Sequence, residues 1–151
     1  TEETLMLSET RQLQRRLMAM VAQLKNALTI CIKVHATAFD SPYPALQEEL
    51  KGALSQLGCN FVTDPSTADW VINISAQARE YNTVTMGDVN TYFVYVDATV
   101  SITKTTTGQR VYENMFTEKG GHTHNYQQAA REAYKYLTPK IRKVVEEQVK
   151  Q

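Results

Sequence analysis

Cysteine is scarce in this chain: Cys31 and Cys59 are the only two. No metal-type spacing joins them, and neither has a recognisable His/Asn set beside it, so a cysteine-based metal centre and a cysteine nucleophile are both disfavoured. A disulfide between the two stays open, as does a pair of buried free thiols. Glycine and proline are also sparse, six and four in 151 residues. No low-complexity segment or internal repeat appears, so neither a disordered tract nor a repeat array is expected. An excess of one charge is missing as well. Lys+Arg and Asp+Glu stand at 16 each, where a general nucleic-acid binder would carry a basic surplus. A modest basic cluster, Arg11, Arg15 and Arg16, sits on a predicted helix and reads as a solvated face.

Long apolar runs are lacking too. The longest are strand-sized or interrupted by charge, too short to cross a bilayer as a helix. No secretory leader is legible. The chain opens directly on a helix without an initial Met and reads as a piece of a longer protein, so the missing leader says nothing about location.

What is present suits one domain with a sizeable core: 42% hydrophobic and 21% charged residues. Residues 2–27 repeat apolar positions three and four apart, at Leu13, Leu17, Met20/Val21, Leu24 and Leu28, which predicts a helix. The period then changes. Ile30, Ile32, Val34 and Ala36 alternate with Thr29, Cys31, Lys33 and His35, a strand with one buried face. Asp40, Ser41 and Pro42 end it. Pro44 opens a helix with Leu46, Leu50, Leu54 and Leu57 on one side, and Gly58 stops it. "CNFV" is a short strand and "DPST" a turn. Trp70, Ile72, Ile74 and Ala76 line one side of the next strand, which ends near Glu80. "YNTVTMGDVNTY" reads as a polar connection, a long hairpin.

The clearest strand follows. Tyr92, Val94, Val96, Ala98, Val100 and Ile102 face the core, while Phe93, Tyr95, Asp97, Thr99, Ser101 and Thr103 face out. Gly108 turns the chain into a last strand, "RVYENMFTEK". From Asn125, which forms a capping box with Gln128, a helix keeps Ala129, Ala133, Leu137, Ile141, Val144/Val145 and Gln148 in phase. Pro139 within it predicts a kink, or a break with Thr138 as a new cap. The expected fold is α+β, two-layered, a mostly antiparallel sheet covered by helices on one face, in the order α-β-α-β-β-β-β-α.

Chemistry is thinly represented. His122 and His124 are one residue apart in "TEKGGHTHNYQQAAREAY", a spacing that serves a metal on extended backbone. A metal-dependent hydrolase using the His122/His124 pair is therefore the alternative function. A zinc site wants a third protein ligand, however, and the sequence offers only His35 elsewhere and Glu118 nearby. The simpler reading makes Gly120 and Gly121 a tight exit from the last strand, before an exposed loop. The glycines lack phosphate-loop spacing. No GxSxG is present, and Asp69 and Asp97 are isolated carboxylates. No catalytic residue, metal ligand or cofactor site is assigned.

The aromatics carry more. Phe93 and Tyr95 lie on the outward face of the long strand, and Tyr112 or Phe116 on the next strand are expected to join them. Such a cluster on a sheet marks a contact surface, for a protein partner or for self-association. Phe93, Tyr95 and Tyr112 are the protein-contact candidates. The competing reading has the helix of residues 2–27 folded over these rings.

The phrases also resemble a known group. Leu57, Gly58, Ala68 and Asp69, then Val100 and Gly108, then Lys119, Gly120, Ala129, Ala130 and Ala133 match the recurring "L…G…AD", "v…tG" and "kG…A…A" phrases. They are those of an α/β domain of bacterial cell-envelope lipoproteins, in the style of the curli-secretion lipoprotein CsgG, the amino-terminal domain of TolB, FlgT and LptE. The resemblance covers roughly residues 28–147, and the two histidines depart from its usual small residues. It implies a non-enzymatic binding or assembly module, periplasmic or at the outer membrane, tied to a membrane only through a lipid anchor. On this reading residues 1–27 are an N-terminal helix, or a linker from a preceding domain, and 28–151 the envelope-lipoprotein-like domain.

Overall fold

The computed structural model describes residues 1–26 and 28–150, the side chains of 19–26 excepted. The expected ends at 27 and 151 thus lie outside the described residues. In chain order the elements are α1 (Glu2–Asn26), β1 (Thr29–Ala38), β2 (Ser41–Pro42), α2 (Ala45–Gln56), β3 (Asn60–Phe61), β4 (Trp70–Met86), β5 (Val89–Lys104), β6 (Gln109–His122) and α3 (Tyr126–Val149). The fold is α+β in two layers. One sheet has the strand order β2-β1-β4-β5-β6, with β3 also on β1. β4, β5 and β6 form an antiparallel meander. β1 runs parallel to β4, since α2 carries the chain back between them.

The alternation holds residue by residue in β5: Val94, Val96, Ala98, Val100 and Ile102 are buried. With Ile30, Ile32, Trp70, Ile72, Ile74 and Ala76 they meet Leu46, Leu50 and Leu54 of α2 and the apolar side of α3. Leu57, expected on that side, is exposed because α2 ends at Gln56. Gly58 follows with φ +86°, the stop the sequence announced.

Strand β4 continues well past Glu80. Residues 81–86 pair with 89–93 of β5, and Gly87 (φ +62°) with Asp88 makes a two-residue hairpin turn. The expected long hairpin is therefore there, but its polar arms are strand rather than loop. Its β-branched Thr83, Val84 and Thr85 explain why.

The expected glycine turn and the expected helix break are both absent from the C-terminal half. Gly120 and Gly121 do not turn the chain; both lie inside β6 in extended backbone. Gly120 faces α3. A Cβ there would stand 2.9 Å from Ala133 Cα and closer still to Ala133 N and Ala129 O. The glycine, with buried Ala129, Ala130 and Ala133, lets helix and sheet meet backbone to backbone. Gly121 faces the other way, under the Phe93 ring, whose Cε1 would be 2.8 Å from a Cβ. Likewise Pro139 does not break α3, and Thr138 caps nothing: its hydroxyl donates to the Tyr134 carbonyl at 2.7 Å. Pro139 and Lys135, whose carbonyl loses its helical partner, are both exposed, so water can serve it.

Two clasps brace the fold, one within the sheet and one between sheet and α3. Thr29 N–H donates to the Asp69 carboxylate at 3.0 Å, and Thr105 N–H to the Asp69 carbonyl at 3.1 Å, tying the start of β1 to the β4 entry and the β5 exit. Asp69 thus has a structural task. Tyr134 is fully buried, stacks on Tyr43 with centroids 4.1 Å apart, and donates to the Thr37 carbonyl at 2.6 Å. Burial pushes its phenol well above the usual range.

Candidate functional site

Both α2 and α3 pack on one face of the sheet. On the opposite face, side chains alternate out of β4, β5 and β6 with no helix over them among the described residues. The row Arg79–Tyr95–Lys119 crosses three strands there by direct pairing, and Phe93 pairs with Gly121 beside it.

These residues form one cluster. A β-bulge between Glu80 and Asn82 leaves Tyr81 as the extra residue. Its ring meets Tyr95 edge-to-face, centroids 4.9 Å apart. The Lys119 ammonium sits 4.5 Å from the Phe93 centroid and 5.0 Å from that of Tyr81. The Arg79 guanidinium lies 4.7 Å over the Tyr95 ring. Both cations therefore use the negative faces of the rings. Arg79 Nε also donates to Asp97 Oδ2 at 2.6 Å, and Thr117 Oγ1 to Asp97 Oδ1 at 2.8 Å. The hydrogen bond from Arg79 holds the Asp97 carboxyl below its usual range, and the same bond raises Arg79. Asp97 is thus a cross-strand anchor with its oxygens engaged, unsuited to act as a general acid.

Of the three sequence-named contact candidates, the structure brings together Phe93 and Tyr95. Tyr112 is elsewhere. It pairs with Ile102, a core-facing residue, and packs half-buried against the core on the helix face. Phe116, opposite Ala98, does the same. The cause is a second bulge. From the hairpin, Lys104 pairs with Gln109 and Thr103 with Arg110; Val111 is then skipped, so Ile102 meets Tyr112. A one-residue slip reverses the face of every residue beyond it. Sequence reasoning also missed Tyr81. The signal was available: it continues the outward phase of Asn73, Ser75, Gln77 and Arg79.

The helix of residues 2–27 does not cover these rings in its described part, since side chains 2–18 are all exposed. At the far end of the open face, Lys33, His35, Asn73, Ser75, Thr99 and Ser101, with Val34 and Ile74, line a shallow depression whose exposed surface is mainly apolar.

The histidines do not converge. His122 ends β6 opposite Tyr92, and its Nδ1 accepts the His124 backbone N–H at 2.9 Å. The two rings are 6.3 Å apart at 89°, and His35 lies on β1, across the sheet. Among the described residues no three His, Cys, Asp or Glu side chains are grouped to hold a metal ion. Cys31 and Cys59 are both buried and free, and burial raises the Cys59 thiol.

No family model and no curated protein matches this chain. Solved structures do. A minor lipoprotein from Acinetobacter baumannii is similar at TM-score 0.54 and 16% identity, over 78% of this chain and 91% of that one. A neuraminyllactose-binding hemagglutinin homolog from Helicobacter pylori follows at TM-score 0.49 and 11% identity, over 79% and 83%. Lipoprotein GNA1162 from Neisseria meningitidis stands at 0.41 and 14%, over 81% and 97%. The first likeness is one of fold alone.

Proposed function

We propose that this chain is a non-enzymatic binding and assembly module of a bacterial cell-envelope lipoprotein, working in the periplasm and taking a protein partner on its open sheet face. One observation carries the reading: Tyr81, Phe93 and Tyr95, braced by Arg79 and Lys119, stand together on the face that no described helix covers. Aromatic and arginine side chains fixed in place are what interface anchors are made of, because little rotamer entropy is left to lose on binding. Rings of this size bury ~150–250 Å² each. The partner that fits offers apolar side chains to the rings and an acidic group to Lys119. The fold likeness to the Acinetobacter lipoprotein supports the setting. So does the sequence resemblance to the CsgG, TolB, FlgT and LptE group. Membrane attachment on this reading runs through a lipid anchor. Nothing in the site geometry favours a hydrolase.

The test is Phe93→Ser with Tyr95→Ser. The expected variant folds, melts within a few degrees of the parent, and loses site-specific cross-linking from a photoreactive residue at Tyr81 in the intact cell envelope. A large fall in melting temperature, or unchanged cross-linking, overturns the proposal.

A further inference from the structure

Among the described side chains, α1 packs on nothing. This helix has 25 residues, and side chains 2–18 are all exposed. Met6, Leu13 and Leu17 are 67%, 58% and 52% exposed. With Thr10 they are spaced four, three and four apart, one seam of a helix that packs on another helix. A helix with no packed face is marginal in water, because propensity alone seldom offsets the ordering of its backbone. The seam therefore needs an occupant.

Charge selects it. Glu2, Glu3 and Glu9 fill the first part of α1, while Arg11, Arg15 and Arg16 follow. The geometry points to a second copy of this chain, its α1 lying antiparallel on this one. In that arrangement Met6 meets the partner's Leu17, and Thr10 meets the partner's Leu13. Glu9 then flanks the seam opposite the partner's Arg16, and the two-fold axis repeats each contact. Arg11 and Arg15 lie on the far side of the helix from the seam, so Glu9 and Arg16 carry the choice. A parallel pair would set Glu9 beside the partner's Gln14 and form neither ion pair. Coverage by an unrelated helix would leave the segregation of charge without a purpose. This pairing is independent of the open sheet face.

The test is the mass of the full chain in solution across a range of concentrations, by sedimentation equilibrium. A dimer is expected. Leu13→Lys with Leu17→Lys is expected to give a monomer that loses helical ellipticity while the α/β body keeps its melting midpoint. Glu9→Arg alone, or Arg16→Glu alone, weakens the dimer about tenfold, by turning two attractive pairs into repulsive ones. The double variant Glu9→Arg with Arg16→Glu restores it, since the pair is only reversed in sign. A parent chain that stays monomeric overturns the inference, as does a dimer that survives Leu13→Lys with Leu17→Lys. Single charge reversals that leave the dimer unchanged overturn the antiparallel register. Dissociation by Phe93→Ser with Tyr95→Ser moves the interface to the sheet and overturns it too; those changes abolishing only the Tyr81 cross-link keep the two surfaces distinct and support it.

Discussion

Gly120→Ala is the sharpest probe of how α3 meets the sheet. The added methyl would lie against the helix backbone, 2.9 Å from Ala133 Cα and nearer to Ala133 N and Ala129 O. None of these atoms can rotate away. The helix itself has to move, and Ala129, Ala130, Ala133, Tyr134 and Leu137 are all fully buried beneath it. Over-packing of a filled core costs about 1–3 kcal/mol, more where backbone must shift. Alanine recovers part of that, since glycine is about 0.5–1 kcal/mol worse inside a strand. A net loss of about 2 kcal/mol is expected. For a domain of this size that lowers the melting temperature by roughly 4–8 °C. Gly121→Ala is the control one residue on. Its methyl would meet only the Phe93 ring, at 2.8 Å to Cε1, and a half-buried ring can swing outward. Its net cost is expected to stay within about 1 kcal/mol. Both are read by thermal melting followed by circular dichroism. Equal losses, or a larger one at Gly121, would refute the claim that helix-to-sheet contact rather than turn geometry explains this glycine pair.

Two further outcomes follow from the same sheet. Val96→Asp places a carboxylate beneath the helices, where Val96 is fully buried, and should cost about 4 kcal/mol or more, whereas Thr99→Asp on the exposed face should change stability by under about 1 kcal/mol; chemical denaturation measures both, and equal effects would mean the strand is buried on two sides. Asp97→Asn removes a carboxyl whose folded-state titration is depressed mainly by the hydrogen bond from Arg79; a depressed group stabilises above its unfolded value of 3.8, so the variant should lose under about 1 kcal/mol at neutral pH. That deficit should close as pH falls below 3.8, as pH-dependent melting would show, and a deficit that widens in acid would contradict the pairing.

Where one face of an element is buried, the chain announced itself. The five core residues of β5, the leucines of α2 and the alanines of α3 are each a period repeated often enough to survive one exception. Leu57 and Pro139 are those exceptions, and each yields to a local fact: one lies past the helix end, and the other faces solvent. The parallel junction of β1 with β4 left less trace, because alternation reports burial and not the direction of a neighbour. The glycine pair was legible as special but not in its reason. A glycine kept for close approach and one kept for positive φ read alike in a single sequence.

The contact face depends on the weakest signals of all. Bulges have no periodicity, since each is one residue that belongs to no pair. At Val111 the slip carries Tyr112 and Phe116 beneath α3 and turns Met115, 65% exposed, outward. At Tyr81 the slip follows Glu80, the partner of core-facing Val94, so Tyr81 and Asn82 both stay on the open face while Thr83 turns inward to share a hydrogen bond with the Tyr126 hydroxyl at 2.8 Å. Unshifted, β6 would have put two more rings outward and emptied the space under α3 that they now fill. The size of the aromatic cluster is therefore set jointly by the packing on the other face. Tyr81, Phe93 and Tyr95 remain outside because the core has no vacancy opposite them: Val94 and Val96 already occupy it, fully buried.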